Sequence, residues 1–215
     1  MHKLTDKYKY IIFDFDGTLN NSLPGIFATF KKVLDHFGVD YSHIDFAKHI
    51  GPPLEYSYEH FVGKDRMNDA IQWHYKVYAE DHAAQNSFLY DGIPETLAAL
   101  KAHGYTLAVA SSKYEPHAIQ SLEYFGILKY FDYVYGQTER RGYKIEVLRQ
   151  LIADHDWDKN KCLMIGDTFY DAEGAAANEV DFLAVTYGFG TNKELVDGNP
   201  VAMADSPKQI AELLL

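Results

Sequence analysis

Tyr10-Ile11-Ile12-Phe13-Asp14-Phe15-Asp16-Gly17-Thr18-Leu19 decides how this chain folds. Four β-prone apolar residues run without a break into two carboxylates. A strand apolar on both faces is what a parallel sheet buries. Side chains two apart on a strand share a face, so Asp14 and Asp16 are expected to point together at its carboxyl end. Open α/β sheets bind ligands at that edge. Two carboxylates placed together repel, so one is either protonated or bound to a metal. Gly17 then lets the chain turn away. A plain acidic surface turn would account for the pair, but not for the buried strand that feeds it.

Working outward, further apolar runs at 105–110, 131–135, 162–165 and 182–185 read as strands buried on both faces. Helical patterns lie between them. One spans 94–103, opens with Pro94 and Glu95, and stops at Gly104. Others cover 116–124 and 145–153, the latter with Val147, Leu148, Leu151 and Ile152 at helical spacing. Thr191-x-x-Glu194 and Ser206-Pro207-x-Gln209 read as capping boxes. Strands alternating with helices imply an α/β, Rossmann-like doubly wound parallel sheet. One stretch breaks the alternation. Residues 20–87 show no convincing strand but three amphipathic helices, at 23–37, 54–62 and 66–84, rich in aromatics. The expected organisation is an α/β core of 1–19 and 88–215, with an all-α cap of 20–87 inserted after the first strand. Each aromatic there, taken singly, reads as helical core.

Three more segments carry chemistry. Gly166-Asp167-Thr168-Phe169-Tyr170-Asp171 follows the 162–165 strand. Asp167 falls at a strand-to-helix junction, and one helical turn brings Asp171 to the same face. Helix capping alone would explain both. Joined to Asp14 and Asp16 they make a four-carboxylate cluster, a set of hard oxygen ligands suited to Mg²⁺. Ser111-Ser112-Lys113 follows the 105–110 strand, where hydroxyls and exposed amides can hold a phosphate oxygen, or simply form a turn. Lys144 opens the 145–153 helix, against the helix dipole, which hints at a role in neutralising a phosphate or an aspartate.

Bulk properties narrow the class. The 215 residues are enough for one core and a small accessory unit. With 20 basic against 31 acidic side chains, the net charge of −11 argues against a nucleic-acid polymer or an anionic membrane as partner. A single cysteine, Cys162 in an apolar run, forbids an internal disulfide and suits a reducing cytoplasm. The first ten residues hold no long apolar stretch and no small-residue cleavage site, so neither a signal peptide nor a span is expected. The ten histidines are scattered with no HExxH pair, which disfavours zinc. No GxSxG elbow occurs, and Gly188-Phe189-Gly190 lacks the third glycine of a dinucleotide site.

DFDGTL at 14–19, a serine after the second strand, a downstream lysine and GDTFYD stand in the order of the four motifs of the haloacid dehalogenase superfamily. The chain resembles that superfamily along its whole length. Ile50-Gly51-Pro52-Pro53-Leu54, Tyr75-Lys76-x-Tyr78, Asn86 and Tyr90-Asp91-Gly92-Ile93 look like its phosphoglycolate phosphatase and bacterial 5′-nucleotidase-like branch. Two positions depart from many relatives. Asn21-Ser22 stands where Asp-Ser is frequent, and Thr168 where a basic residue often follows the Gly-Asp pair.

The resemblance implies a phosphatase for small phosphate monoesters. Asp14 is the nucleophile, forming an aspartyl-phosphate. Asp16 is the general acid, then base. Mg²⁺ is held by Asp14, Asp16 through its backbone carbonyl, Asp167 and, directly or through water, Asp171. Ser111, Ser112 and Lys144 hold the phosphoryl oxygens. The cap excludes water and reads the leaving group, with Pro52, Pro53 and Lys76 as specificity residues. Asp16 separates the chain from dehalogenases, which need no general acid there, and disfavours phosphonatases, which use a cap lysine. A sugar-phosphate mutase of the superfamily remains an alternative. So does a silent phosphate-binding or receiver-like protein, though receivers lack a cap. The implied partner is a small phosphorylated metabolite, and the implied assembly a monomer or weak homodimer.

Overall fold

The computed structural model describes residues 4–50, 52–80 and 86–215. Its strands are β1 (Tyr10–Phe13), β2 (Asn20–Asn21), β3 (Phe88–Leu89), β4 (Thr106–Tyr114), β5 (Tyr133–Gln137), β6 (Cys162–Gly166), β7 (Asp181–Val185) and β8 (Ala202–Ala204). Six of them form one sheet in the order β5-β4-β1-β6-β7-β8, every neighbouring pair parallel. Central β1 pairs Phe13 with Val109 on one side and Ile165 on the other. The chain winds outward in both directions from the β1–β6 boundary, so the residues after Phe13 emerge at the topological switch point.

Strand alternation divides the core between the two faces of the sheet. Ile11, Phe13, Leu107, Val109, Leu163 and Ile165 pack with Ile93 and Leu97 of α4 (Ile93–His103), Leu122 of α5 (Glu115–Tyr124) and Ile210 of α9 (Pro207–Leu214). Ile12, Ala108, Ala110, Cys162 and Met164 pack with Val147, Leu148 and Leu151 of α6 (Lys144–Asp154) and Ala172 and Ala175 of α7 (Phe169–Ala177). Burial on both faces is why these strands are apolar at successive positions rather than alternate ones. The fold is the expected α/β doubly wound sheet.

Several local expectations change: β5 begins at Tyr133, two residues after the expected start, and β2 falls within the stretch expected to hold no strand. β4 runs to Tyr114 rather than ending at Ala110, with a register irregularity between those residues, so Ser111, Ser112 and Lys113 lie within the strand. Ser206 makes no side-chain cap for α9; Gln209 Oε1 accepts from the amide of Asp205, 2.6 Å away, one residue earlier than the expected box. The box before α8 (Asn192–Asp197) does form, Thr191 Oγ1 accepting from the Glu194 amide and Glu194 Oε2 from the Thr191 amide. Among the described residues no helix is long and apolar enough to cross a membrane.

The chain forms two compact units, residues up to Asn20 with Leu89–Leu215, and Asn21–Phe88. The second contains α1 (Leu23–His36), α2 (Leu54–Val62) and α3 (Lys64–Glu80). Phe30 anchors it, with ring edges against Tyr58 at 5.8 Å and Phe61 at 5.4 Å. Tyr58 OH meets His74 Nδ1 at 2.7 Å, which satisfies two polar groups inside that core. Tyr58, Phe61 and Tyr78 are core, as their helical spacing implies, whereas Tyr56 is exposed. Gly51, expected to open a stiff turn, and residues 81–85, where the third helix was expected to end, lie outside the described residues.

Candidate active site

Asp14 leaves β1 with its amide donating to Ile165 O at 2.8 Å, which continues the β1–β6 ladder by one residue. The carboxylate is buried. Lys144 is the first residue of α6, and its stem packs against α7, where a Cβ on Gly174 would stand 2.9 Å from Lys144 Cγ. The ammonium reaches Ala110 O at 2.9 Å, Asp14 Oδ1 at 2.5 Å and Asp171 Oδ1 at 2.8 Å. A buried lysine at a helix start is therefore explained by two anions, which outweigh the helix dipole.

Asp171 has a double duty. Its Oδ2 accepts from the amide of Thr168 at 3.0 Å and from the Thr168 hydroxyl at 2.8 Å, closing a box at the start of α7. Its Oδ1 faces Lys144. The capping expected of Asp167 is thus made by one oxygen of Asp171, while the other faces the ammonium of Lys144.

Asp167, like Asp171, is fully enclosed. Thr18 Oγ1 donates to its Oδ1 at 3.0 Å, and the Phe189 amide donates to its Oδ2 at 2.7 Å. Three glycines make the room. A Cβ would lie 2.2 Å from Asp167 Oδ2 at Gly17, 2.3 Å from it at Gly188, and 2.1 Å from the Asp167 carbonyl oxygen at Gly190. Gly17 also has φ +89°, so both its backbone and its space demand glycine.

Asp14, Asp167 and Asp171 place one oxygen each within 4.8 Å of one another. The carboxylate of Asp16 does not join them. It accepts from Lys113 Nζ at 3.2 and 3.0 Å, so the expected four-carboxylate cluster is three carboxylates plus a separate ion pair. Asp14 and Asp16 follow the same strand, but the chain turns at Gly17 and Lys113 draws the second carboxylate to itself.

Burial pushes the Asp14 carboxyl up to about 7, against the pull of Lys144 and with the push of Asp171. Burial first, then the charges of Asp171 and Asp14, hold Asp167 well above the usual carboxylate range, despite its two hydrogen bonds. Burial disfavours the Lys144 ammonium, yet Asp14 and Asp171 overcome it and raise the lysine above its ordinary value. One ammonium is thus shared by two of three crowded acids. Asp14 Oδ1 and Asp171 Oδ1 are buried, and each faces the Lys144 ammonium. Three clustered, buried carboxylates, with one ammonium between two of them, offer hard oxygens that fit a divalent cation of the magnesium, calcium or manganese kind.

Ser111 is buried, its Oγ accepting from the Lys113 amide at 3.2 Å; Ser112 is half-buried on the same strand. Both follow Ala110, whose carbonyl binds Lys144. Pro52, Pro53 and Lys76 belong to the helical unit. Pro53 precedes α2, and Lys76 Nζ lies 4.6 Å over the Trp73 ring and 4.0 Å from Glu80 Oε1, with its side chain 54% exposed. Lys113, Thr18 and the Phe189 amide were not expected at the site. The Lys113 signal was its place after Ser111-Ser112 on the strand beside β1. Phe189 carried one too, in the glycines on either side of it, which had suggested only a failed dinucleotide loop.

The profile of a family described as haloacid dehalogenase-like hydrolase matches residues 11–185. A Mycobacterium tuberculosis protein named tyrosine-protein kinase PtkA is 35% identical over 94% of this chain and 70% of its own length. A Pseudomonas aeruginosa protein named 5′-nucleotidase is 35% identical over 88% of this chain and 87% of its own. Among solved structures, a haloacid dehalogenase-like family hydrolase from Streptococcus pneumoniae superposes with a TM-score of 0.88 at 28% identity, covering 96% of this chain and 98% of that one.

Proposed function

Because the chain belongs to the haloacid dehalogenase-like hydrolases, we propose that it is a Mg²⁺-dependent phosphatase for small phosphate monoesters, of the phosphoglycolate or nucleoside 5′-monophosphate kind. The observation that carries this is the Lys144 ammonium between Asp14 and Asp171, with Asp167 beside them, at the switch point of a parallel sheet. The relative named 5′-nucleotidase supports the substrate class.

Asp14 attacks phosphorus with a carboxylate oxygen. The bond to the leaving oxygen breaks, its electron pair goes to that oxygen, and Asp16 supplies the proton. Asp16, now a carboxylate, takes a proton from water. The water oxygen attacks phosphorus, the acyl-phosphate O–P bond to Asp14 breaks with its electron pair returning to the carboxylate, and phosphate leaves with Asp14 restored. Lys144, Ser111 and Ser112 hold the phosphoryl oxygens as charge shifts among them. Asp14, Asp167 and Asp171, with the Asp16 backbone carbonyl, would hold Mg²⁺, which would mask the repulsion between a phosphate dianion and an anionic nucleophile. Pro52, Pro53 and Lys76 are assigned to leaving-group selection.

The test is a screen of p-nitrophenyl phosphate, phosphoglycolate, nucleoside monophosphates, sugar phosphates and pyrophosphate with Mg²⁺, followed by an acid quench to trap labelled phosphate on Asp14. No phosphate release from any of them would defeat the proposal. A mutase would instead return the group to a second hydroxyl of the same sugar and release none. The kinase-named relative supports a second reading, in which the group passes from Asp14 to a protein hydroxyl rather than to water. Label appearing on an added protein in place of free phosphate would favour it.

A further inference from the structure

We infer that Lys113 is a positioning residue that fixes the carboxyl of Asp16 for its proton transfer to the leaving oxygen; this rests on the phosphatase reading above. Four observations lead to it. Lys113 Nζ spans both oxygens of Asp16, at 3.2 and 3.0 Å. Both side chains are mostly removed from solvent, 9% and 18% exposed. The ammonium also lies 5.8 Å from the centre of the Phe15 ring, which closes one side of it. A cation held in this way is not a solvated surface charge.

The fourth observation concerns the backbone that delivers Lys113. Ala110 pairs with Tyr135 and Tyr114 with Gln137, so four steps along β4 span two along β5. The surplus forms a bulge across Ser111–Lys113. Bulges re-aim side chains and recur beside active sites. This one is built in place. Ser111 Oγ accepts from the Lys113 amide at 3.2 Å, and Glu115 Oε2 accepts from the Gly136 amide at 3.0 Å. Any side chain at position 136 would collide, because a Cβ there would be 2.6 Å from both Lys113 O and Glu115 Cα. Arg141 Nη2 holds Glu115 at 2.7 Å from the other side. Lys113 lies inside this bulge and reaches the Asp16 carboxylate from it.

The chemistry gives this geometry a purpose. As the leaving oxygen takes the Asp16 proton, the carboxyl becomes a carboxylate, and the ammonium faces both oxygens of that new anion. Charge that appears only as the reaction proceeds is what a preformed cation stabilises best. A side chain held in one rotamer also meets the leaving oxygen without a search.

The experiment measures kcat and KM for wild type, Lys113→Met and Lys113→Arg with Mg²⁺, on p-nitrophenyl phosphate and on a nucleoside 5′-monophosphate. Nitrophenolate leaves without a proton, whereas the alkoxide of the nucleotide needs one. Lys113→Met is expected to lower kcat/KM on the nucleotide by on the order of 10²-fold, the worth of a general acid. That ratio reports the steps up to departure of the leaving group and not the shared hydrolysis of the aspartyl-phosphate. On the aryl ester kcat/KM should fall only a few-fold. Lys113→Arg should recover part of the loss. An equal fall in kcat/KM on both esters would overturn the inference, since it marks a structural role or plain substrate binding. Wild type that releases phosphate from neither ester would overturn the phosphatase reading itself, and this inference with it.

Discussion

Lys144 Nζ lies 2.5 Å from Asp14 Oδ1, joining the end of β1 to the first turn of α6 across 130 residues of sequence. The pair is buried, so removing the lysine leaves uncompensated carboxylates, whereas loss of the Asp14 charge leaves Lys144 paired with Asp171. Breaking a buried ion pair in this way costs about 3–5 kcal/mol. Lys144→Met should therefore be destabilised by about that amount and inactive. Because the variant leaves three carboxylates with no ammonium, added Mg²⁺ should restore more of its melting temperature than it adds to wild type. Calorimetry with and without the cation checks this. Equal gains in both proteins would mean that the lysine and the cation do not share the carboxylates.

Asp14→Asn is expected to keep the fold and lose turnover. The amide is nearly isosteric but a poor nucleophile. The loss should be on the order of 10⁴-fold or more, as for other essential nucleophiles. Steady-state assays of the folded variant on the best substrate test it, and near-normal rates would remove Asp14 from the mechanism.

The pH dependence of stability follows from the same cluster. Burial raises the Asp14 carboxyl from 3.8 to about 7, so the folded protein keeps a proton that the unfolded chain has already released. Between those two values folding takes up protons, and stability falls as pH rises. The contribution is complete below 3.8 and gone above about 7. Asp167, also raised, acts in the same direction. A divalent cation binds the deprotonated carboxylates and opposes the loss. The gain in melting temperature on adding Mg²⁺ should then be larger near pH 8 than near pH 5. At a concentration about 100 times Kd the cation contributes about 2.7 kcal/mol, or roughly 5–10 °C for a chain of this size. A gain independent of pH would contradict the account. Activity should need a hard divalent cation, with calcium inhibitory because its looser coordination spoils in-line attack.

Gly188→Ala tests the cradle around Asp167. The new methyl would stand 2.3 Å from both Cβ and Oδ2 of Asp167, so the carboxylate must shift. Overpacking of this kind costs about 1–3 kcal/mol. Displacing a group that orients a ligand should raise the Mg²⁺ concentration for half-maximal activity by on the order of 10-fold or more. An unchanged Mg²⁺ titration would show that the glycine serves packing alone.

Lys76→Ala and Pro53→Gly address leaving-group selection. Each is expected to change kcat/KM unequally across three substrates, and to change hydrolysis of a generic aryl phosphate less. Lys76 sits over Trp73 and is half exposed, which leaves its ammonium accessible to an anion. A common factor for every substrate would make these residues structural.

Much of this protein is written in short segments. Tyr10–Phe13 announces a strand buried on both faces, because four apolar residues in a row suit nothing else so close to a turn. The alternation of strands and helices, the helical run of 54–62 and the Thr191 box are set by local periodicity and local hydrogen bonds, and they stand where the residues imply. Asp14, Asp167 and Asp171 were legible as a group, since carboxylates after adjacent parallel strands must emerge at one edge. What the folded chain alone decided is how those carboxylates are shared out. Asp16 looks like a fourth member from its spacing, yet a bulge of β4, braced by Gly136, Glu115 and Arg141, brings Lys113 to it from 97 residues away. The grip of Thr18 and the Phe189 amide on Asp167 spans 149 and 22 residues, and the glycines that admit it look like a failed nucleotide loop when read alone. Periodicity reports which face a residue takes, but the partner it meets there depends on where the strand slips register, and only the packed sheet sets that.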